Sequence, residues 1–476
     1  MVGPQTRPRL VSAARTASEF ATTFELTDLS QSARRRLELA VLDLAAVCHA
    51  GRPAPAARIA ADTAHTIFGP GRSTAWLDGQ QLSPAAAAWA NGVLANVLDL
   101  DDGHSLTKGH PGAVVIPAAV AVAEHVQATA HEVLAAIAVG YEVAVRAATA
   151  QHDRSPQYHG SGSWGAVGAA AATARLLGSD EAACRHAIGL AEYHAPLALI
   201  MRSVAEPAMT KDGIGWGAMV GVSTAFLAAS GFTSTTGQFA SLELADWDWR
   251  RVVEELYVKP FPCCRWTQSA VVAAKTITET TEFDPARIIS IEIRTFDAAA
   301  ALAAVPPTNT EQAQYSLVWP VACQLGLGRY GVTEALGDFD NPAANRLLPL
   351  IRVVVDPDLT AEFPRRRLSS VVVRTDDGTE LSSGIAEPWG ESDDPHWEHR
   401  TLDKARHLLG PVPIWPTAFT SIGLDGVLST ALNSAPTTTR MKGRGFDAGL
   451  VVEASPAGTC GFDRVGGFEL HGRDTG

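Results

Sequence analysis

The stretch Gly165-Ala-Val-Gly-Ala-Ala-Ala-Ala-Thr-Ala-Arg-Leu-Leu177 carries glycine or alanine at nearly every inward position of a helix. Small residues let neighbouring helices approach closely, so this segment suits a tightly packed helical bundle. Working outward, residues from about Thr27 to 232 read as helix after helix, with Ala-, Val- and Leu-rich runs separated by Gly, Pro, Asp and Asn. Between Ser30 and Ala50, the residues Leu37, Val41, Leu44, Ala45 and Cys48 recur at helical spacing, and Gly51 is expected to act as a stop. After Lys259 the texture changes. Ile288 to Phe296 and Ile351 to Val355 are strand-like, and Ser370 to Ile385 reads as a hairpin around Asp376-Asp377-Gly378. Helix-like segments near 311–325 and 330–346 lie between these strands, and 398–410 and 418–433 look helical again. The expected fold is mainly α: a large all-α domain (1–264 plus 396–435), a smaller α+β lid (265–395) and a Thr-, Ser-, Gly- and Pro-rich tail (436–476) expected to be partly disordered.

At 476 residues the chain is long enough for one large domain with a smaller partner. Hydrophobic residues make up 46% and charged residues 19%, the balance of a globular protein. The longest apolar run, Gly112 to Ala123, is shorter than the roughly 20 residues that span a bilayer and contains Pro117, so no membrane span is expected. The N-terminal stretch before Glu19 bears arginines and no acidic residue, as transit peptides do, but has no secretory apolar segment; a cytoplasmic protein is expected. Six cysteines without a Cys-x-x-Cys pair argue against a disulfide scaffold or structural zinc, and Cys263 and Cys264 are read as reduced, buried thiols. A net charge of −13 disfavours a nucleic-acid surface. It leaves room for an anionic small molecule in a local cationic pocket, because salt screens distant charge within about 10 Å.

Four clusters can carry chemistry. The first is Asp99-Leu-Asp101-Asp102-Gly-His104, followed by Lys108-Gly-His110-Pro-Gly112. So many charges between apolar helices are costly unless they pair or do work, although a polar interhelical loop with an Asp cap would account for the same residues. The spacings match no standard metal motif or calcium loop. The second cluster is Tyr158-His159-Gly160, leading into the small-residue helix; a lone histidine is more often structural. The third is Met209-Thr210-Lys211-Asp212-Gly213, where a loop lysine is the ordinary reading. The fourth is Lys259-Pro-Phe-Pro262-Cys263-Cys264-Arg265-Trp266, where prolines stiffen the backbone and Lys259 and Arg265 suit a carboxylate clamp, against a stiff interdomain hinge.

In this order the clusters resemble the MmgE/PrpD family over about residues 20–435. Gly140-Tyr141-Glu142, Ala313-Gln-Tyr-Ser316 and the segment Gly390 to Lys404 add to the resemblance. It implies an all-α domain with an α+β lid, a homodimer, and a pocket that uses no metal or other cofactor. It places the site acid on Asp99, with Asp101 or Asp102 as alternatives because the loop is one residue longer than in some relatives. The site histidines fall on His110 and His159, and the lysines on Lys211 and Lys259. Asp102, His104, Arg265 and Trp319 are expected at the substrate; Trp319 stands where many members have tyrosine, and Gly103 where several have threonine.

Removing a proton next to a carboxylate needs a positioned base and cations for the dianion that forms. One such pocket serves dehydration, epimerisation and decarboxylation alike, and the family resemblance implies a hydro-lyase resembling 2-methylcitrate dehydratase. Decarboxylation of cis-aconitate, epimerisation of iminodisuccinate and a non-catalytic carboxylate-binding relative are the alternatives. A zinc hydrolase built on His104, His110 and Asp102 is the remaining rival.

Overall fold

The computed structural model describes residues 16–155, 157–235, 237, 251–302, 304–411 and 413–433. The described residues are mainly helical, as the small-residue segments require. Starts are set by local chemistry. Ser30 accepts from the Ala33 N–H at the head of Gln31–Gly51, Thr129 and Glu132 form a reciprocal cap on Ala130–Arg154, and Asp180 caps Glu181–His194. Pro55, Pro84 and Pro111 each occupy the first turn of a helix, where a missing N–H costs nothing.

Helices Ala130–Arg154, Ser161–Leu176 and Ile214–Ala229 cross at glycines. A Cβ on Gly168 would lie 2.3 Å from the Gly140 carbonyl oxygen, and one on Gly221 would lie 2.4 Å from the Ala169 Cβ. The helix ends at Gly51, as expected, and a Cβ there would sit 2.6 Å from Val97 Cγ2, so the residue is also small in order to pack. Ala130–Arg154 is long and apolar enough to cross a membrane by length and composition, and most of it is buried among other helices.

Downstream, the strands Ile351–Val355, Ile288–Thr295, Ser369–Thr375 and Glu380–Ser382 form one sheet in that order. The first pair is parallel (Ile291 beside Ile351) and the others antiparallel (Ile293 beside Val371, Val373 beside Leu381). Ile291, Ile293, Val371 and Val373 are buried at alternate positions against helices Arg265–Thr280 and Val318–Leu327. The expected long helices are interrupted: 311–325 becomes Thr310–Gln314 and Val318–Leu327, 330–346 becomes Val332–Leu336 and Pro342–Leu347, and Gly423 (φ 72°) separates Thr417–Ser421 from Leu424–Asn433.

The described residues up to 433 lie in one compact unit, with its apolar core in two clusters. The larger includes helix Trp397–Leu409; the smaller lies around the four-stranded sheet. The expected division at residues 264 and 395 is a proposal that these clusters motivate, while the tail 436–476 lies outside the described residues.

Candidate active site

The segment that links helix Pro84–Asn96 to helix Pro111–Val126 carries the first cluster into the interior. Asp99 (φ 50°), Lys108 (φ 52°) and Lys211 (φ 39°) all take the left-handed backbone conformation, which costs non-glycine residues about 1–3 kcal/mol. Such strain persists where surrounding contacts hold a side chain in place. Here those contacts are charges. Lys259 Nζ lies 2.7 Å from Asp99 Oδ1; His110 Nε2 is 3.3 Å from the same oxygen, and His110 Nδ1 is 3.1 Å from Asp101 Oδ2 and 3.0 Å from the Asp102 carbonyl oxygen. Asp212 Oδ2 accepts from the Ser161 hydroxyl at 2.9 Å and lies 3.8 Å from His110 Nε2.

Burial opposes every charge in this group, and the partners decide each outcome. Lys259, Lys211 and His110 outweigh burial at Asp99 and hold its carboxyl well below the usual range. Burial also works against a charged His110 ring, but Asp101 and then Asp99 lift its pKa to about 9. His110 is therefore an imidazolium at neutral pH. Lys259 is raised, because Asp99 and Asp101 exceed its desolvation, whereas desolvation wins at Lys211 and lowers it.

A cavity of about 590 Å³, its open mouth included, runs from this cluster outward. Asp99, His110, Lys259 and Asp212 line it, together with Lys108, Tyr158, Arg265 and Arg367. Of the residues expected at the site, Asp99, His110, Lys259 and Arg265 meet in the cavity. Lys211 reaches the cluster from behind, donating to the Asn96 carbonyl and to Gln314 Oε1, both at 2.6 Å.

The others are placed differently. Asp102 lies under the cavity, accepting from the Gly112 N–H and the Tyr141 hydroxyl. His104 is fully buried, with Nε2 3.3 Å from Glu255. His159 pairs its backbone with Leu199, and its buried Nδ1 has no hydrogen-bond partner; it is not among the cavity-lining residues. Trp319 is wholly buried in the smaller core, donating to the Glu334 carbonyl at 3.0 Å, because its helix turns that ring inward. Cys264 corrects the expectation of two buried thiols: it is only half-buried and lines the cavity.

Sequence reasoning assigned no role to Lys108, Asp212 or Arg367. The first two stood inside quoted clusters, and Arg367 ends the run Arg365-Arg366-Arg367 before a strand, a signal that could have marked it. Asp99, Asp101 and His110 also come close enough to share one ion, but the Lys259 ammonium already meets Asp99 there.

The chain matches the MmgE/PrpD N-terminal domain over residues 15–244 and the MmgE/PrpD C-terminal domain over residues 261–414. It belongs to the MmgE/PrpD family. It is similar to the cis-aconitate decarboxylase of Homo sapiens, 34% identical over 171 residues that make up 33% of this chain and 34% of the human protein. The cis-aconitate decarboxylase of Mus musculus is 26% identical over 315 residues, 60% of this chain and 63% of the mouse protein. That of Aspergillus terreus is 27% identical over 180 residues, 36% and 37% of the two chains. Each match spans less than two thirds of the relative's length.

Proposed function

We propose that the protein is a lyase that acts on a small polycarboxylate, moving a proton next to one of its carboxylates without a metal. The observation that carries this reading is His110, held as an imidazolium between Asp99 and Asp101 and beside Lys259, lining a cavity with further cations on its wall. Breaking a bond to carbon dioxide leaves an electron pair that an adjacent carboxylate must share and a proton must quench. Lys259 offers charge to the developing enediolate, and His110 offers the proton.

Decarboxylation of a cis-aconitate-type tricarboxylate is the first form of this reading, because the relatives named above carry that activity in their names. Dehydration of 2-methylcitrate is the second. The same cations would support it, and Asp212, whose carboxyl is raised mainly by burial, lies 3.8 Å from His110 Nε2. A homodimer is proposed because Tyr193, Leu197 and Trp216 are strongly exposed for apolar side chains. A cytoplasmic location is proposed from the five free cysteines among the described residues.

Proton NMR in deuterated water with cis-aconitate, 2-methylcitrate and iminodisuccinate tests the reading. One substrate should be consumed with deuterium entering next to a carboxylate, and His110→Gln should lower kcat about 10²–10⁴-fold. Absence of both turnover and exchange with all three would remove the lyase reading.

A further inference from the structure

The cavity wall around Lys108, Arg265 and Arg367 carries more positive charge than its own partners neutralise. Lys108, Arg265 and Arg367 line it. Glu391 touches two of them, with Oε1 2.8 Å from Arg265 Nη2 and 3.4 Å from Arg367 Nη1. Burial disfavours a charged Glu391, but the two arginines overcome this and keep it ionised. Three cations thus face one carboxylate, and the wall keeps a positive surplus. By contrast, His110 and Lys259 are matched by Asp99 and Asp101.

The two arginines are also unfinished as hydrogen-bond donors. They are 5% and 4% exposed, and the Nε–H of each is buried with no partner. A buried guanidinium N–H is ordinarily satisfied, so a pair of them beside one cavity marks a place for an acceptor to complete. Arg265 is fixed by its stack on Tyr257, 4.6 Å to the ring centroid, and by Gln268 Oε1 at 2.8 Å. Lys108 is held with its ammonium 3.6 Å above the Tyr158 ring.

We infer that Lys108, Arg265 and Arg367 form an anchoring subsite for the substrate carboxylate farthest from the reacting carbon, with Glu391 holding the two guanidinium groups side by side. The inference rests on the polycarboxylate reading proposed above and extends it. A planar fork recognises a carboxylate through paired N–H groups, and the charge surplus orients the ligand with its remote carboxylate at the arginines and its reacting carbon toward His110. Arg367 is then a specificity-determining residue, and a substrate needs at least two carboxylates.

Isothermal titration calorimetry with tricarballylate, an unreactive tricarboxylate, tests this on the whole protein. Arg367→Gln should weaken binding about tenfold or more and Arg367→Lys less, since lysine keeps the charge but loses the fork. Glu391 stays bonded to Arg265 in both variants, so no buried charge is stranded, and thermal melts verify folding. For the substrate turned over, KM should rise with kcat changed less than about threefold. Failure of the wild type to bind tricarballylate, or Kd within about twofold of wild type in both folded variants, overturns the subsite. Turnover with unchanged Kd and KM would remove the subsite and leave the lyase reading; weakened binding without any turnover would do the reverse.

Discussion

Asp102 accepts from the Gly112 N–H at 3.0 Å and from the Tyr141 hydroxyl at 2.5 Å, deep beneath the cavity. Burial raises its carboxyl, the Tyr141 bond opposes, Asp101 adds repulsion, and the balance is about 7. A carboxyl raised in the folded state stabilises it fully below the ordinary aspartate value and loses that contribution as pH rises through about 7. His110, also raised, contributes fully below its ordinary 6.5 and loses this as pH climbs through about 9. Stability should therefore fall in two windows. Asp102→Asn, which mimics the protonated acid, should flatten the first. Urea midpoints between pH 4 and 7 measure this, with the variant's decline expected to be smaller by at least about 1 kcal/mol; parallel declines would refute the assignment. At this scale Asp99, His110 and Lys259 were legible as charges too costly to bury idle. Asp212 and Arg367 were not, because a charged side chain beside a loop lysine or in an arginine run usually faces solvent.

Among elements, the crossing of Ser161–Leu176 with Ala130–Arg154 depends on Gly168, whose added Cβ would also meet Ala144 Cβ at 2.5 Å. Backbone cannot yield as a flexible side chain does. Gly168→Ala should cost about 1–3 kcal/mol in urea unfolding despite alanine's better helix propensity, and a gain in stability would show that the helices are not in contact there. Helix Val318–Leu327 makes a different case. Trp319 was expected at the substrate because of its place in the family pattern, yet its indole donates to Glu334 and its ring packs near Phe339, 6.0 Å between centroids. Trp319→Tyr should lower stability by about 1–3 kcal/mol while leaving the ranking of substrates in a panel unchanged; a reordered panel would return Trp319 to the site. Helix periodicity shows that one face is apolar, but it does not say whether that face meets a core or a cavity.

For the whole molecule, one buried ion pair joins distant parts of the chain to the site. Lys404, on helix Trp397–Leu409, lies 2.8 Å from Asp43 Oδ1 on helix Gln31–Gly51 and donates to the Leu100 carbonyl at 2.7 Å. It thereby holds the segment between Asp99 and Asp101 from behind. Lys404→Met should cost about 3 kcal/mol or more, since Asp43 is left buried without a counter-charge, and should lower kcat by shifting that segment. Asp43→Leu with Lys404→Met should recover much of the stability without the activity. Equal melts for the single and double variants would count against the coupling.

The sequence by itself determined that the chain is mainly helical, where its parallel and hairpin strands begin, and which loops concentrate charge, because side-chain size, periodicity and desolvation cost act locally. Only the tertiary structure decided which charges meet. Asp99 and His110 share one interhelical segment, while Asp212, Lys259 and Arg367 come from three others, brought to one cavity by glycine-mediated helix contacts and by the sheet that carries Arg367's neighbours. Electrostatic pairing at about 3 Å depends on positions in space that spacing along the chain does not encode.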